Sequence, residues 1–336
     1  MSERSNTAAR TSLSGRHGLP LRSGLLFGLA CTILAPLTAG AVAPDAPAKP
    51  APPAAAAQKR FATPKEAADA LIAAARSFDT AALTEILGKD GKSMVVTEDH
   101  VADQNRAATF AARAGEKSSI SQDPKKPNVA TLVVGSDDWP LPIPIVRKGS
   151  SWLFDSKKGR QEVLHRRIGA NELDAIQICR GYVEAQLEYA SERRDGSGLN
   201  QYAQRIVSTP GRRDGLAWRL ADGTWEGPVG EGIARVIAEG HMDRYEPYHG
   251  YYFKVLKGQG PAAPMGEMDF LVKGVMIGGF ALVAAPAEYA VTGVKTFIVG
   301  HSGTVYEKDL GPKSVEAFRK MERFNPDKSW HAVEGD

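Results

Sequence analysis

Four side chains with metal-binding chemistry stand close together in this sequence: His241, Asp243, Glu246 and His249. Imidazoles and carboxylates of this kind hold zinc. Their spacing, however, matches neither a helical pair nor a knuckle, and Pro247 interrupts any helix through the stretch. The expectation is a polar loop without a metal. Asp195, Ser197 and Asn200 lie in an oxygen-rich turn of the sort calcium uses, but one carboxylate is too little charge for that ion. Three glycine motifs fare no better. Gly300-His301-Ser302-Gly303-Thr304 approaches the G-x-S-x-G of a nucleophile elbow. Thr304 replaces its second glycine, and Val305-Tyr306 continues as a strand where the elbow needs a helix, so a hairpin turn is expected. Gly258-Gln259-Gly260-Pro261-Ala262-Ala263 fits a loose G-x-G-x-x-A, yet Pro261 and Pro264 leave no helix N-terminus for a pyrophosphate. Gly91-Lys92-Ser93 lacks the upstream glycine of a phosphate loop, because Ile86 stands there. Both are read as loops. Asp137 and Asp138 are adjacent carboxylates, and neighbours on a strand face opposite ways, so adjacency alone builds no acid–base dyad. No catalytic residue and no cofactor site emerge from these patterns.

The elements that would position any site begin after an export signal. Residues 1–41 hold four arginines against Glu3, then an apolar run from Gly24 to Ala35, then Ala39-Gly40-Ala41. This is the tripartite pattern of a cleaved signal, and the run is too short for a comfortable membrane span. Cleavage after Ala41 is expected, placing the mature chain in the periplasm or outside the cell. Cys31 opens a lipoprotein alternative, disfavoured because Gly28 stands where such a signal carries an aliphatic residue. Cleavage would leave Cys179 as the one remaining cysteine, so no internal disulfide can form. Its helical apolar setting marks a small buried hydrophobe. Without residues 1–41 the +3 net charge is balanced, which excludes the basic footprint of a nucleic-acid binder. At 43% hydrophobic and 24% charged, the chain is too apolar to be disordered.

Residues 42–60 are a Pro/Ala-rich spacer. From Phe61 to residue 156 the pattern predicts an α+β domain. Thr63-Pro64-Lys65-Glu66 is a capping box with proline at the first helical position. Asp79 caps a second helix and 99–114 is a third. Strands follow at Val129–Val134, Ile143–Arg147 and Trp152–Phe154. Pro140, Pro142 and Pro144 cannot donate ladder bonds, so that segment is an edge or an extended loop. In residues 157–336 a helical region resumes near Lys157, and its strongest part, with Asn171 as N-cap, carries two apolar stripes. One is Leu173, Ile176, Val183 and Leu187; the other is Ile178, Tyr182, Ala185 and Tyr189. Two stripes predict burial on much of the circumference. An irregular stretch reaches Gly240, with a helix expected at Gly230–Glu239. Strands are then predicted at Tyr251–Leu256, Asp269–Lys273, Gly279–Ala284, Val294–Val299 and Thr304–Glu307. A last helix starts at Pro312 with Val315, Phe318, Met321 and Phe324 inward. The class is α+β, with no βα rhythm.

Three resemblances accompany this reading. The order of helices and sheet, closing on "RKGSSWLFD", is similar to the cone-shaped domains related to nuclear transport factor 2. Four longer segments are those beginning Asp137-Asp138-Trp139-Pro140, Arg166-Arg167-Ile168-Gly169, Pro247-Tyr248-His249-Gly250 and Gly278-Gly279-Phe280-Ala281. They resemble the bacterial exported family called domain of unknown function 2950, over about Phe61 to Trp330. That resemblance implies no assigned activity. Asn171-Glu172-Leu173-Asp174-Ala175-Ile176, with Ala185-Gln186 and Tyr189-Ala190, resembles the start of pilin-type head domains, which implies a helix packed on an antiparallel sheet. In a pilin the assembly helix is fused directly to this one, whereas here a whole domain intervenes. The expectation is an exported cell-envelope protein with a non-enzymatic structural or binding role, with an unidentified envelope protein as its partner. The alternative is a small-ligand binder or enzyme using a pocket in the 61–156 domain. A solid core there favours the first; a convergent polar set in an apolar pocket favours the second.

Overall fold

The computed structural model describes residues 57–194, 196, 198–229 and 247–334. Helix α1 (Pro64–Arg76) opens as its capping box dictates: Thr63 Oγ1 accepts from the Glu66 N–H at 3.1 Å, and Glu66 reaches back to the Ala62 N–H. Aspartates cap three of the later helices through a side-chain oxygen. Asp79 starts α2 (Thr80–Leu87), and a single helical turn, α3 (Lys92–Val95), follows. Asp99 starts α4 (His100–Glu116). The strands are β1 (Ser118–Gln122), β2 (Val129–Val134), β3 (Trp139–Pro140), β4 (Ile145–Lys148) and β5 (Ser151–Phe154). They form one antiparallel sheet ordered β1-β2-β4-β5, with β3 pairing β2. Strand β2 alternates with the pleat: Ala130, Leu132 and Val134 are buried, while Val129, Thr131 and Val133 are half-buried. Those inward residues meet Leu71, Leu83 and Ile86 of the helices in a first hydrophobic core.

Asp155 then caps α5 (Ser156–Ala190), an unbroken helix of 35 residues. A small sheet follows, β6 (Arg205–Val207), β7 (Gly215–Arg219) and β8 (Trp225–Glu226). Next come β9 (Tyr251–Leu256), β10 (Gly258–Gln259), β11 (Met268–Asp269), β12 (Leu271–Val272) and β13 (Val275–Met276). The long strands β14 (Ala281–Pro286), β15 (Lys295–Gly300) and β16 (Val305–Asp309) lead through a 3₁₀ turn at Gly311–Lys313 into α6 (Ser314–Lys320). Strands β17 (Arg323–Phe324) and β18 (His331–Ala332) complete the chain. The second main sheet is antiparallel in the order β18-β16-β15-β14-β9. Every residue of its β14 is buried. The cause is cover on both sides. Tyr251 feels the charge of Glu172 on α5, whereas its neighbour Tyr252 stacks on Phe318 of α6, and adjacent strand residues face opposite ways. The α+β class is what the pattern predicts.

Several details differ from it. Asn171 is no cap: it lies inside α5, where its amide donates to the Thr292 carbonyl at 2.8 Å. The helix is buried on one face, through Ala175, Ile176, Cys179, Tyr182, Val183, Gln186 and Tyr189, while Leu173 and Leu187 are exposed. Apolar residues therefore occur on both sides of α5, but the sheet covers only one. Lys92 and Ser93 begin the turn α3 instead of a loop, and Gly258-Gln259 is a strand paired in parallel with β17. The stretch predicted as Asp269–Lys273 breaks into β11 and β12. The last helix ends at Lys320, so Phe324 reaches the core from a strand. Asp137 and Asp138 sit in the turn before β3 and not on a strand; Asp138 has φ 53°. The helix expected at Gly230–Glu239 and the signal at 1–41 lie outside the described residues. Among the described residues no helix is long and apolar enough to cross a membrane.

Candidate ligand cavity

The first core does not close completely. Between α1 to α4, the segment 139–143 and the beginning of α5 lies a cavity of about 780 Å³, within the usual range of small-molecule sites. Two helices build its walls with the same periodicity. From α4 come Asp103, Arg106, Ala107 and Phe110, and from α5 come Arg160, Val163, Leu164 and Arg167. Each set is spaced i, i+3, i+4, i+7, which is one face of a helix. Leu71, Ala75, Leu83 and Leu87 form the buried apolar interior; Phe78, Met94 and Val95 line it half-buried. The remaining wall is Trp139, Leu141, Pro142 and Ile143.

That wall is held firmly. The Leu141 N–H donates to the Leu132 carbonyl at 2.8 Å, and the guanidiniums of Arg113 and Arg166 lie over the Trp139 ring, 5.5 and 5.6 Å from its centre. Arg166 also donates to the Pro140 carbonyl at 2.8 Å and to Glu162 at 2.8 Å. Arg113 pairs with Asp137, and Lys117 with Asp138 at 2.7 Å, so these neighbouring carboxylates anchor the turn. Arg113 also draws the Asp137 carboxyl below its ordinary range. Gly159 lets α5 approach closely, since a Cβ there would lie 2.8 Å from Ile143 Cγ1. Behind the same proline segment is a smaller hollow of about 380 Å³, lined in part by His165, Glu162 and Lys158.

The polar groups of the main cavity divide by depth. Asp103 is buried; its carboxylate accepts from the Thr97 N–H at 2.7 Å and the Thr97 hydroxyl at 2.9 Å, and pairs with Arg106. The Thr97 backbone bond holds its pKa below the usual carboxylate range, against the opposing effect of burial. The arginines lie nearer water: the side chain of Arg106 is 57% exposed and that of Arg160 46%. Arg160 meets Asp90 at 3.1 Å. Arg167 is exposed, and no ion pair joins it to another described residue. The arrangement offers an apolar interior with cationic groups at its margin.

The residues singled out by motif lie elsewhere. Of the four metal-capable side chains, His241, Asp243 and Glu246 are outside the described residues, as are Asp195 and Ser197. His249 is described: its Nδ1 lies 2.5 Å from Asp174 Oδ2, in an exposed pair at the surface of α5. Among the described residues no group of three or more His, Cys, Asp or Glu could hold a metal ion. Ser302 sits in the turn joining β15 to β16. Cys179 is wholly buried, and burial pushes its thiol up to about 12. Motif reading singled out none of Arg106, Arg160 and Arg167 as a site residue: Arg106 and Arg160 lie in no quoted segment, and the segment that holds Arg167 implies no role for it. The signal was the i, i+3, i+4, i+7 spacing of basic and apolar residues at 160–167, visible once the helix is known to begin at Ser156.

No curated protein and no solved structure matches the chain. A family model does match, over residues 58–333, well beyond half of the sequence. This chain belongs to the family described as Protein of unknown function (DUF2950).

Proposed function

We propose that this protein is an exported, non-enzymatic binding protein of the cell envelope that takes a small, largely apolar ligand into the cavity between α1 to α4, the segment 139–143 and the beginning of α5. The observation that carries the reading is that cavity: about 780 Å³ of space opens where a packed core was one of two expectations. Binding is favoured over catalysis because Asp103, the buried carboxylate on the wall, is already satisfied by Thr97 and Arg106. A general base needs a carboxylate with a raised pKa, and this one is lowered. Export rests on the signal-like residues 1–41, and the division at residue 156 on the two separate hydrophobic cores. The pilin likeness rests on the packing of α5 against β14 and β15. It would serve as the scaffold for the binding half.

The experiment is a titration with the uncharged fluorescent probe N-phenyl-1-naphthylamine. The folded chain should bind it saturably at one site. Ala107→Trp, which fills the space from α4, should abolish that binding while leaving the circular dichroism spectrum unchanged. Binding that persists in the filled variant would overturn the reading.

A further inference from the structure

We infer that the ligand is an amphiphile with an anionic head, its apolar part in the cavity and its carboxylate- or phosphate-type group on Arg167. This deepens the binding reading above and rests on it. The side chains lining the cavity include three cations, Arg106, Arg160 and Arg167, against one anion, Asp103. Those charges are not equally available. Asp103 is buried with its hydrogen bonds made, and Arg106 is engaged with it. Arg160 shares its charge with the half-exposed Asp90. Arg167 has no ion pair with any described residue, so it presents its full charge at the margin of an apolar space. A cationic ligand would meet repulsion there, and a neutral one would leave this guanidinium unused. An anion gains a charge-assisted, two-pronged contact.

The helix geometry supports the same polarity. Arg160 and Arg167 are seven residues apart on α5, about 10 Å along its axis, with Val163 and Leu164 between them on the cavity face. One small head group therefore meets one arginine at a time. Arg167, without a carboxylate partner, is the anchor, and Arg106 and Arg160 supply the surrounding positive field. The chain or ring attached to that head enters past Val163 and Leu164 toward Leu71, Leu83 and Leu87, which are shielded from solvent.

The test uses the full mature chain and three ligands of equal length, dodecanoate, dodecyl phosphate and dodecanol, each displacing N-phenyl-1-naphthylamine. Both anions should bind about tenfold more tightly than the alcohol, the size of one charge-assisted hydrogen bond. Arg167→Gln should remove that preference without changing the affinity for dodecanol or for the probe, and Arg167→Lys should restore part of it. Raising the salt concentration should weaken the anions alone. If only the phosphate gains, the head is a phosphate; if both gain, the site accepts either oxyanion. Equal affinity for all three ligands, or a preference that survives Arg167→Gln, overturns this inference and leaves the cavity reading intact. Failure of the neutral probe to bind at all overturns both.

Discussion

The two hydrophobic cores of this molecule are made of similar residues and end in different states. In the second, Tyr251, Leu256, Phe270, Phe280 and Phe297 are completely shielded. Around the first, Phe78, Met94, Phe110 and Leu141 are equally apolar but only half-buried. The difference comes from layering. Strand β14 has α5 on one face and α6 on the other, so every one of its residues is buried, and the half-buried apolar side chains of this core, such as Phe253 and Met321, lie at its edges. The first sheet has its helices on one face, and α4 and the start of α5 frame a gap instead of filling it. Apolar surface left wet in this way costs hydrophobic free energy unless something covers it. A closed core explains stability, whereas an open one points to a ligand.

That contrast can be broken or sharpened by mutation. The largest effect is expected in the closed core: Phe280→Ala, whose ring packs on Tyr202 and Tyr182 at 4.8 and 5.8 Å between centres, should cost roughly 3–5 kcal/mol. In the open region, Phe110→Ala should cost no more than about 1 kcal/mol, and should weaken binding of the neutral probe. Urea denaturation of the two variants, measured side by side, checks the difference; equal losses would mean that the first core is as tightly packed as the second. A second contrast lies within α5. Gly169→Ala meets no atom within 4 Å and should stabilise the helix by up to about 1 kcal/mol. Gly159→Ala should lose that gain, because the added methyl strikes Ile143.

Acid should act on the open region through Asp103. Its folded pKa is lowered, so its contribution is complete above the unfolded value of about 3.9 and is lost as the pH falls through the folded value. Asp103→Asn should therefore destabilise at neutral pH, and the gap from the parent should narrow as the pH falls below the unfolded value toward the lowered folded one. A gap independent of pH would mean that the carboxylate charge holds nothing. The smallest effect belongs to Cys179: with its thiol buried and its pKa raised, it should label only in denaturant. Rapid labelling of the native chain would show that the closed core opens.

Much of the closed core was legible in the sequence. The strand expected at Tyr251–Leu256 forms with those bounds, and beside the first core Thr63 and Asp79 cap the helices predicted from them. Strand β1 was not, because Ser118-Ser119-Ile120-Ser121-Gln122 carries a single apolar residue and pairs through its backbone with β2. Strands β10 and β13 were hidden by the glycines and prolines around them, whereas the strand expected at Asp269–Lys273 is present but broken into β11 and β12. The cavity was hidden for another reason. Periodicity shows which residues share a helix face, as with Ile176 and Cys179, but not whether the opposing surface arrives to cover that face. Leu173 and Leu187 fit a buried stripe as well as Val183 does, and they are exposed. Arg160 to Arg167 fit an ordinary solvated face and instead line a cavity. Closure is a property of the packed layers.

The most direct test is to follow leucine methyl groups by NMR while dodecanoate is added to the folded chain. Resonances of Leu71, Leu83, Leu87 and Leu164 should shift together and saturate, while those of Leu216, Leu256 and Leu282 in the closed core stay in place. Shifts confined to the closed core, or no saturable shifts in the first group, would contradict the assignment of the open core as the binding site.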